Sequence, residues 1–330
     1  MPQPRKGEDK KTYINRCTKD LIEKEKRKPD QARAICESYW DKRKKAMSKI
    51  PLIMQNFLGT PFAILPAKLE ELLQILQSKN NGELLRNEEF MAQARESMLD
   101  SERSYPITKD GIATINVQGT LSKRMNMLMA LSGGASYQVL TSTIEKALAD
   151  DEVKGIFFYV DSPGGAGDGL FDFTDALFSF RGRKPMVAFT DGQMASAAYI
   201  AMSAADYVVA SNVTNEIGSI GVLAVHADLS KKYEMEGIKP TVMKAGKYKA
   251  LGNRYEPLSK KAKDEIQEQL DFIYSLVVDK VAAHRRTSID YTNNSMAQGR
   301  LFNAKDALSL SLIDEIMTKK QTLNWMRSLI

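Results

Sequence analysis

From about residue 107 the chain alternates between short apolar runs and stretches whose apolar residues recur at three- and four-residue steps. The run 112–117 reads as a strand and 137–149 as a helix. A strand at 155–160, a helix at 170–180, a strand at 186–189, a helix at 196–204 and strands at 207–210, 220–225 and 241–244 continue the rhythm. Apolar runs of this kind, linked by helices, predict an α/β fold with a mostly parallel sheet covered on its faces. A long amphipathic helix, 259–286, follows. Its apolar face (Ile266, Leu270, Ile273, Leu276, Val277 and Val281) needs the core or another subunit as a partner.

Residues 1–49 have a different texture. They read as polar and helical, with stretches at 16–28 and 32–45 separated by Pro29 and Asp30, the latter placed to cap the second helix. Ala32, Ile35, Cys36 and Tyr39 share one face, and 42–45 reads as a linker. Charge sharpens this division. The first 50 residues carry 16 Lys/Arg against 8 Asp/Glu, so the overall +6 is an N-terminal property and the body is nearly neutral. The plain reading is a helical hairpin with a solvated basic face; the functional one is docking to protein or nucleic acid.

Cys17 and Cys36 are the only cysteines, so a disulfide-built secreted fold is not expected and a reducing compartment fits. The apolar stretch 50–66 is broken by Pro51, Gln55, Asn56, Gly59 and Pro61, and neither a signal peptide nor a membrane span is expected. With 330 residues, one core of about 200–250 residues plus an appended piece is the natural division.

Chemistry concentrates at strand ends. Asp161-Ser162-Pro163-Gly164-Gly165 closes a buried-looking strand, and its paired glycines allow a tight turn with exposed amides suited to an oxyanion hole. An ordinary strand-to-helix turn also fits. In Asp191-Gly192-Gln193-Met194-Ala195-Ser196-Ala197-Ala198-Tyr199 a serine among small residues opens a helix, which suits a nucleophile and equally a plain N-cap. A serine hydroxyl needs a base. His226 and His284 lack a site-like context and read as structural or surface residues, there is no Gly-x-Ser-x-Gly elbow, and no Ser-x-x-Lys occurs. Lysine remains, and Ala245-Gly246-Lys247-Tyr248-Lys249 supplies two, either of which becomes a base only if burial lowers its pKa.

These segments, with Gly218-Ser219-Ile220-Gly221-Val222 and Gly299-Arg300-Leu301-Phe302, occur in the order seen in signal peptide peptidase A and its relatives. The resemblance covers roughly 107–317 and implies a Clp protease/crotonase-like fold with a small helical N-terminal extension. It implies Ser196 as nucleophile, Lys249 rather than Lys247 as general base, Gly165 and Ala197 as oxyanion-hole amides, and Ser219 as the residue orienting the lysine. No cofactor or metal is implied. The segments 56–69 and 245–259 resemble the phage and prophage branch, the head maturation or capsid assembly proteases. Arg16-Cys17 and Ala34-Ile35-Cys36 are similar to short segments of other phage head proteins.

The division expected is therefore a basic helical extension at 1–49 that serves as a docking module, a helical lead-in at 50–106, a peptidase domain at 107–317 and a tail at 318–330. The function implied is a serine endopeptidase that cleaves scaffold, capsid or portal proteins during procapsid maturation, as a homo-oligomer, within the procapsid in the bacterial cytoplasm, without membrane or nucleic-acid partners. Two rivals stand beside it. One is a soluble host-type signal peptide peptidase; the other is a catalytically idle head assembly component.

Overall fold

The apolar runs form the middle of a sheet. The computed structural model describes residues 9–25, 27–47, 61–71, 105–124 and 134–330. In chain order the strands are β1 (Phe62–Ile64), β2 (Ile112–Gln118), β3 (Leu121–Ser122), β4 (Ala135–Ser136), β5 (Gly155–Ser162), β6 (Gly164–Ala166), β7 (Met186–Ala195), β8 (Tyr207–Ala210), β9 (Glu216–Gly218), β10 (Leu301–Asn303) and β11 (Glu315–Ile316). Among the helices are α1 (Lys10–Glu25), α2 (Pro29–Met47), α3 (Tyr137–Ala149), α4 (Leu170–Ser179), α5 (Ala197–Met202), α6 (Ser230–Met235), α7 (Lys260–Arg285), α8 (Ala304–Ser309) and α9 (Lys319–Met326).

Two compact units divide the described residues. One takes in 9–25, 27–47 and 226–264; the other takes in 61–71, 105–124, 134–225 and 265–330. In the larger unit β2, β5, β7, β8 and β11 run parallel, and β9 joins them on the far half of β7. The central strands are buried on both faces because helices cover each side. One face carries the main core, where Ile156, Phe158 and Val160 of β5 meet Ile144 of α3, Leu177 of α4 and Val281 of α7. On the other, Phe157, Val187, Phe189 and Val209 meet Met326 of α9. The α/β expectation holds.

Strand β7 is split in its pairing. Residues 187–190 pair with β8, whereas 193–195 pair with β9. The strand thus runs well past the apolar 186–189, through Asp191-Gly192-Gln193, to end directly before Ser196. A second, four-stranded sheet has the order β1-β6-β3-β4.

The strands expected at 220–225 and 241–244 are not there. Gly218 at φ 106° and Ser219 at φ 51° turn the chain out of the sheet, so the strand lies before them, at β9, and 220–225 keeps one bridge, Leu223 to Phe62. At 241–244 the chain is irregular, and Met243 is exposed, with no core to face.

In the smaller unit Asp9 caps α1, its carboxylate accepting from the Thr12 amide at 3.0 Å and the Thr12 hydroxyl at 2.7 Å. These bonds hold the Asp9 carboxyl below its usual pKa. Pro29 opens α2 from the first helical position, where its missing N–H costs nothing, and Asp30 lies inside the first turn rather than capping it. Residues 42–45 are helical, not a linker. Tyr13, Ile14, Cys17 and Leu21 pack on Ala32 and Cys36. The Tyr39 side chain and the interrupted stretch 50–60 lie outside the described residues.

Cys17 and Cys36 form a disulfide across this hairpin. That corrects the expectation of reduced thiols: both cysteines sit on the apolar faces through which the helices meet, with their Cα atoms 6.0 Å apart, a spacing a disulfide spans. A cluster so small gains from such a staple. Among the described residues no helix is long and apolar enough to cross a membrane.

His284, in the last turn of α7, is a core histidine as expected. Its Nδ1 lies 2.9 Å from Ser203 Oγ, whose proton goes to the Ile200 carbonyl, and its ring lies 4.8 Å from that of Phe178. Burial first, then the nearby Arg181 and Lys280 charges, push its pKa down from 6.5 to about 4. A depressed folded pKa means that the unfolded chain takes the proton first as pH falls. Stability from this residue is therefore complete above pH 6.5 and is lost as the pH drops towards 4, by about 3 kcal/mol. Urea unfolding midpoints at pH 7 and pH 4.5 check this: the drop should be smaller in His284→Gln than in the unaltered chain.

Candidate active site

Four of the five motifs meet in the larger unit. The bifurcation of β7 brings Ala195 beside Gly218, and the Ser196 amide donates to the Gly218 carbonyl at 2.6 Å. The Ser219 amide donates to the Arg300 carbonyl at 2.7 Å, and the Gly299 amide to the Ile220 carbonyl at 2.8 Å. The motif at 299–302 thus braces the one at 218–222.

Ser196 occupies the N-cap of α5 at φ 53° and ψ −123°, yet its side chain makes no capping bond. The N-cap reading therefore accounts for its position and not for its hydroxyl. A non-glycine residue at positive φ costs on the order of 1–3 kcal/mol and persists only where packing enforces it. Ser219, at φ 51°, is held in the same way. Both line one cleft, with Phe62, Ile64, Leu223 and Tyr274. Ser196 is 1% exposed and Ser219 7%.

The glycine turn lies against the serine. The Ser162 hydroxyl donates to the Gly119 carbonyl at 2.6 Å and accepts the Gly164 amide at 3.2 Å, fixing the end of β5. At Gly164, φ 101°, a Cβ would stand 2.8 Å from Ser196 Cβ and 3.0 Å from the Ala197 nitrogen. At Gly165 a Cβ would stand 1.9 Å from the Leu121 carbonyl oxygen, so β3 can approach only a glycine. The Ala197 amide is among the first four of α5, which no carbonyl of that helix reaches. Gly165 faces Ala63 of β1, in an antiparallel ladder flanked by the bonds Leu65 N–H to Pro163 and Gly167 N–H to Pro61. By the alternation of such ladders the Gly165 amide donates to the Ala63 carbonyl.

Lys249 belongs to the smaller unit, in a turn where its amide donates to the Gly246 carbonyl at 3.3 Å, and it is exposed. Lys247 is exposed as well, its Nζ 5.4 Å from the Tyr248 ring centre. His226 is partly exposed and has its Nε2 3.1 Å from the Asn253 carbonyl. Sequence reasoning missed three features of the cleft: the contact of Gly164 with Ser196, the wall made by Phe62 and Ile64, and Gln298 at φ 63°. The similarity at 56–69 was the available signal for the second. Among the described residues no group of His, Cys, Asp and Glu could hold a metal ion.

Residues 179–330 match the model of Peptidase family S49. The chain is 28% identical over 253 residues to the head-tail preconnector protein GP5 of Enterobacteria phage P21, covering 77% of this chain and 49% of that protein. It is 36% identical over 196 residues to the putative protease MJ0651 of Methanocaldococcus jannaschii, covering 58% and 60%. To capsid assembly protease C of Escherichia phage lambda it is 29% identical over 225 residues, covering 68% and 50%. The chain thus spans about half the length of the two phage relatives. An α/β unit with a mostly parallel sheet fits the Clp protease/crotonase type of fold, an uncapped serine against a glycine turn fits a peptidase, and residues 179–330 are similar to Peptidase family S49.

Proposed function

We propose that this chain is a serine endopeptidase that cuts phage head proteins during procapsid maturation. The observation that carries the chemistry is Ser196: a buried N-cap serine, held at positive φ, whose hydroxyl caps nothing and against which a glycine turn lies. Neutral Lys249 takes the Ser196 proton as Oγ attacks the scissile carbonyl. The amides of Gly165 and Ala197 receive the oxyanion, Ser219 orients the lysine amine, and the proton passes to the leaving amine before water resolves the acyl-enzyme. Burial favours the neutral amine over the ammonium form, so in this reading Lys249 is shielded from water when it acts.

The similarity to a head-tail preconnector protein and a capsid assembly protease supports head proteins as substrates, with scaffold, capsid and portal chains as the candidates. A homo-oligomer inside the procapsid belongs to the same reading, and Phe272 of α7, 65% exposed, is an apolar residue open to a second copy. Residues 1–49 fit a docking module in this scheme. The test is to co-express the chain with scaffold, capsid and portal proteins and to map new termini by mass spectrometry. New termini that vanish with Ser196→Ala are expected; identical termini with and without the serine would refute the reading.

A further inference from the structure

An extended peptide reaches a serine peptidase's nucleophile by adding a strand to an open sheet edge. Beside Ser196 the described residues leave no such edge. One side of β6 pairs with β3, through Leu121 and Gly165, and the other pairs with β1. Segment 219–223 is held by 299–300 on one side, and on the other Phe62 and Leu223 exchange both backbone bonds at 2.8 Å. The chain's own residues 61–65 therefore run as the middle strand between the glycine strand and Leu223, where a bound peptide would lie. Phe62 and Ile64 line the cleft beside Ser196, Ala63 turns into the core, and the Gly165 amide is spent on Ala63.

We propose that segment 61–65 is a built-in latch that occupies the substrate's strand position and must leave before a peptide can bind. The latch rests on the peptidase reading above. Its departure frees three things at once: the edge of β6, the edge at Leu223, and the Gly165 amide assigned to the oxyanion. Proline at 61 and 66 bounds the strand on both sides and limits how far pairing extends along it.

The latch can be locked. Antiparallel residues that exchange both backbone bonds have Cα atoms about 5.5 Å apart, within the span of a disulfide. The double variant Phe62→Cys/Leu223→Cys, in the full chain, is assayed on casein after oxidation and again after dithiothreitol, with the unaltered chain treated in parallel as reference. Hydrolysis at least about tenfold slower when oxidised, restored by the reductant, is expected; equal rates in the two states overturn the latch. A second measurement needs no hydrolysis: native-state hydrogen exchange of the Phe62 and Leu65 amides in the unaltered chain. A strand that opens on its own exchanges at least about tenfold faster than Phe158 in β5. Protection equal to that of Phe158 overturns the proposal. If no sample cleaves casein, the peptidase reading fails by itself, and the exchange rates decide the latch.

Discussion

Ser196→Ala is expected to reduce peptide hydrolysis on the order of 10⁴-fold or more, with the unfolding transition unchanged or slightly raised. The side chain makes no capping bond, so its loss removes chemistry and not structure. Lys249→Ala should cost nearly as much, and the double variant little more than either alone, because nucleophile and base act as one unit. Lys247→Ala should keep near-normal turnover. Steady-state rates of the four variants on one peptide check the assignment. Full activity in Lys249→Ala with loss in Lys247→Ala would move the base by two residues, and full activity in Ser196→Ala would remove the mechanism altogether.

The second large effect lies in the glycine turn. Gly165→Ala should destabilise the chain by at least about 3 kcal/mol, because the new methyl carbon would sit 1.9 Å from the Leu121 carbonyl oxygen, a backbone atom that cannot swing aside. Gly182→Ala is the comparison. That glycine also has positive φ, 78°, but a Cβ there would meet nothing within 4 Å, so only the conformational cost of about 1 kcal/mol applies. Urea unfolding of both separates crowding from backbone strain. Equal midpoints would mean that β3 does not press on Gly165 as the structure has it.

The helix at 137–149 and the strand at 207–210 were readable to the residue because their local period and their packing agree. Strand β7 was read as half its length. Its outer half carries Asp191 and Gln193, polar residues that face away from the core, and polarity hid a strand that pairing with β9 maintains. Order along the chain was enough to nominate Ser196, Ser219 and the glycine turn. It gave no view of Phe62 and Ile64, since what makes 62–64 a strand is a partner about a hundred residues away, and local propensity carries no record of such pairing. The cysteines misled for another reason. Their helical faces point at one another, and a count of two cysteines carries no trace of that facing.

The left-handed backbone at Ser196 and Ser219 separates what the fold wants from what the site wants. Glycine adopts such a conformation without penalty, and serine does not. A sequence selected for folding alone would therefore drift to glycine at both positions, gaining stability as it lost the hydroxyls. Serine at both positions is what the proposed mechanism needs and what folding alone does not ask for.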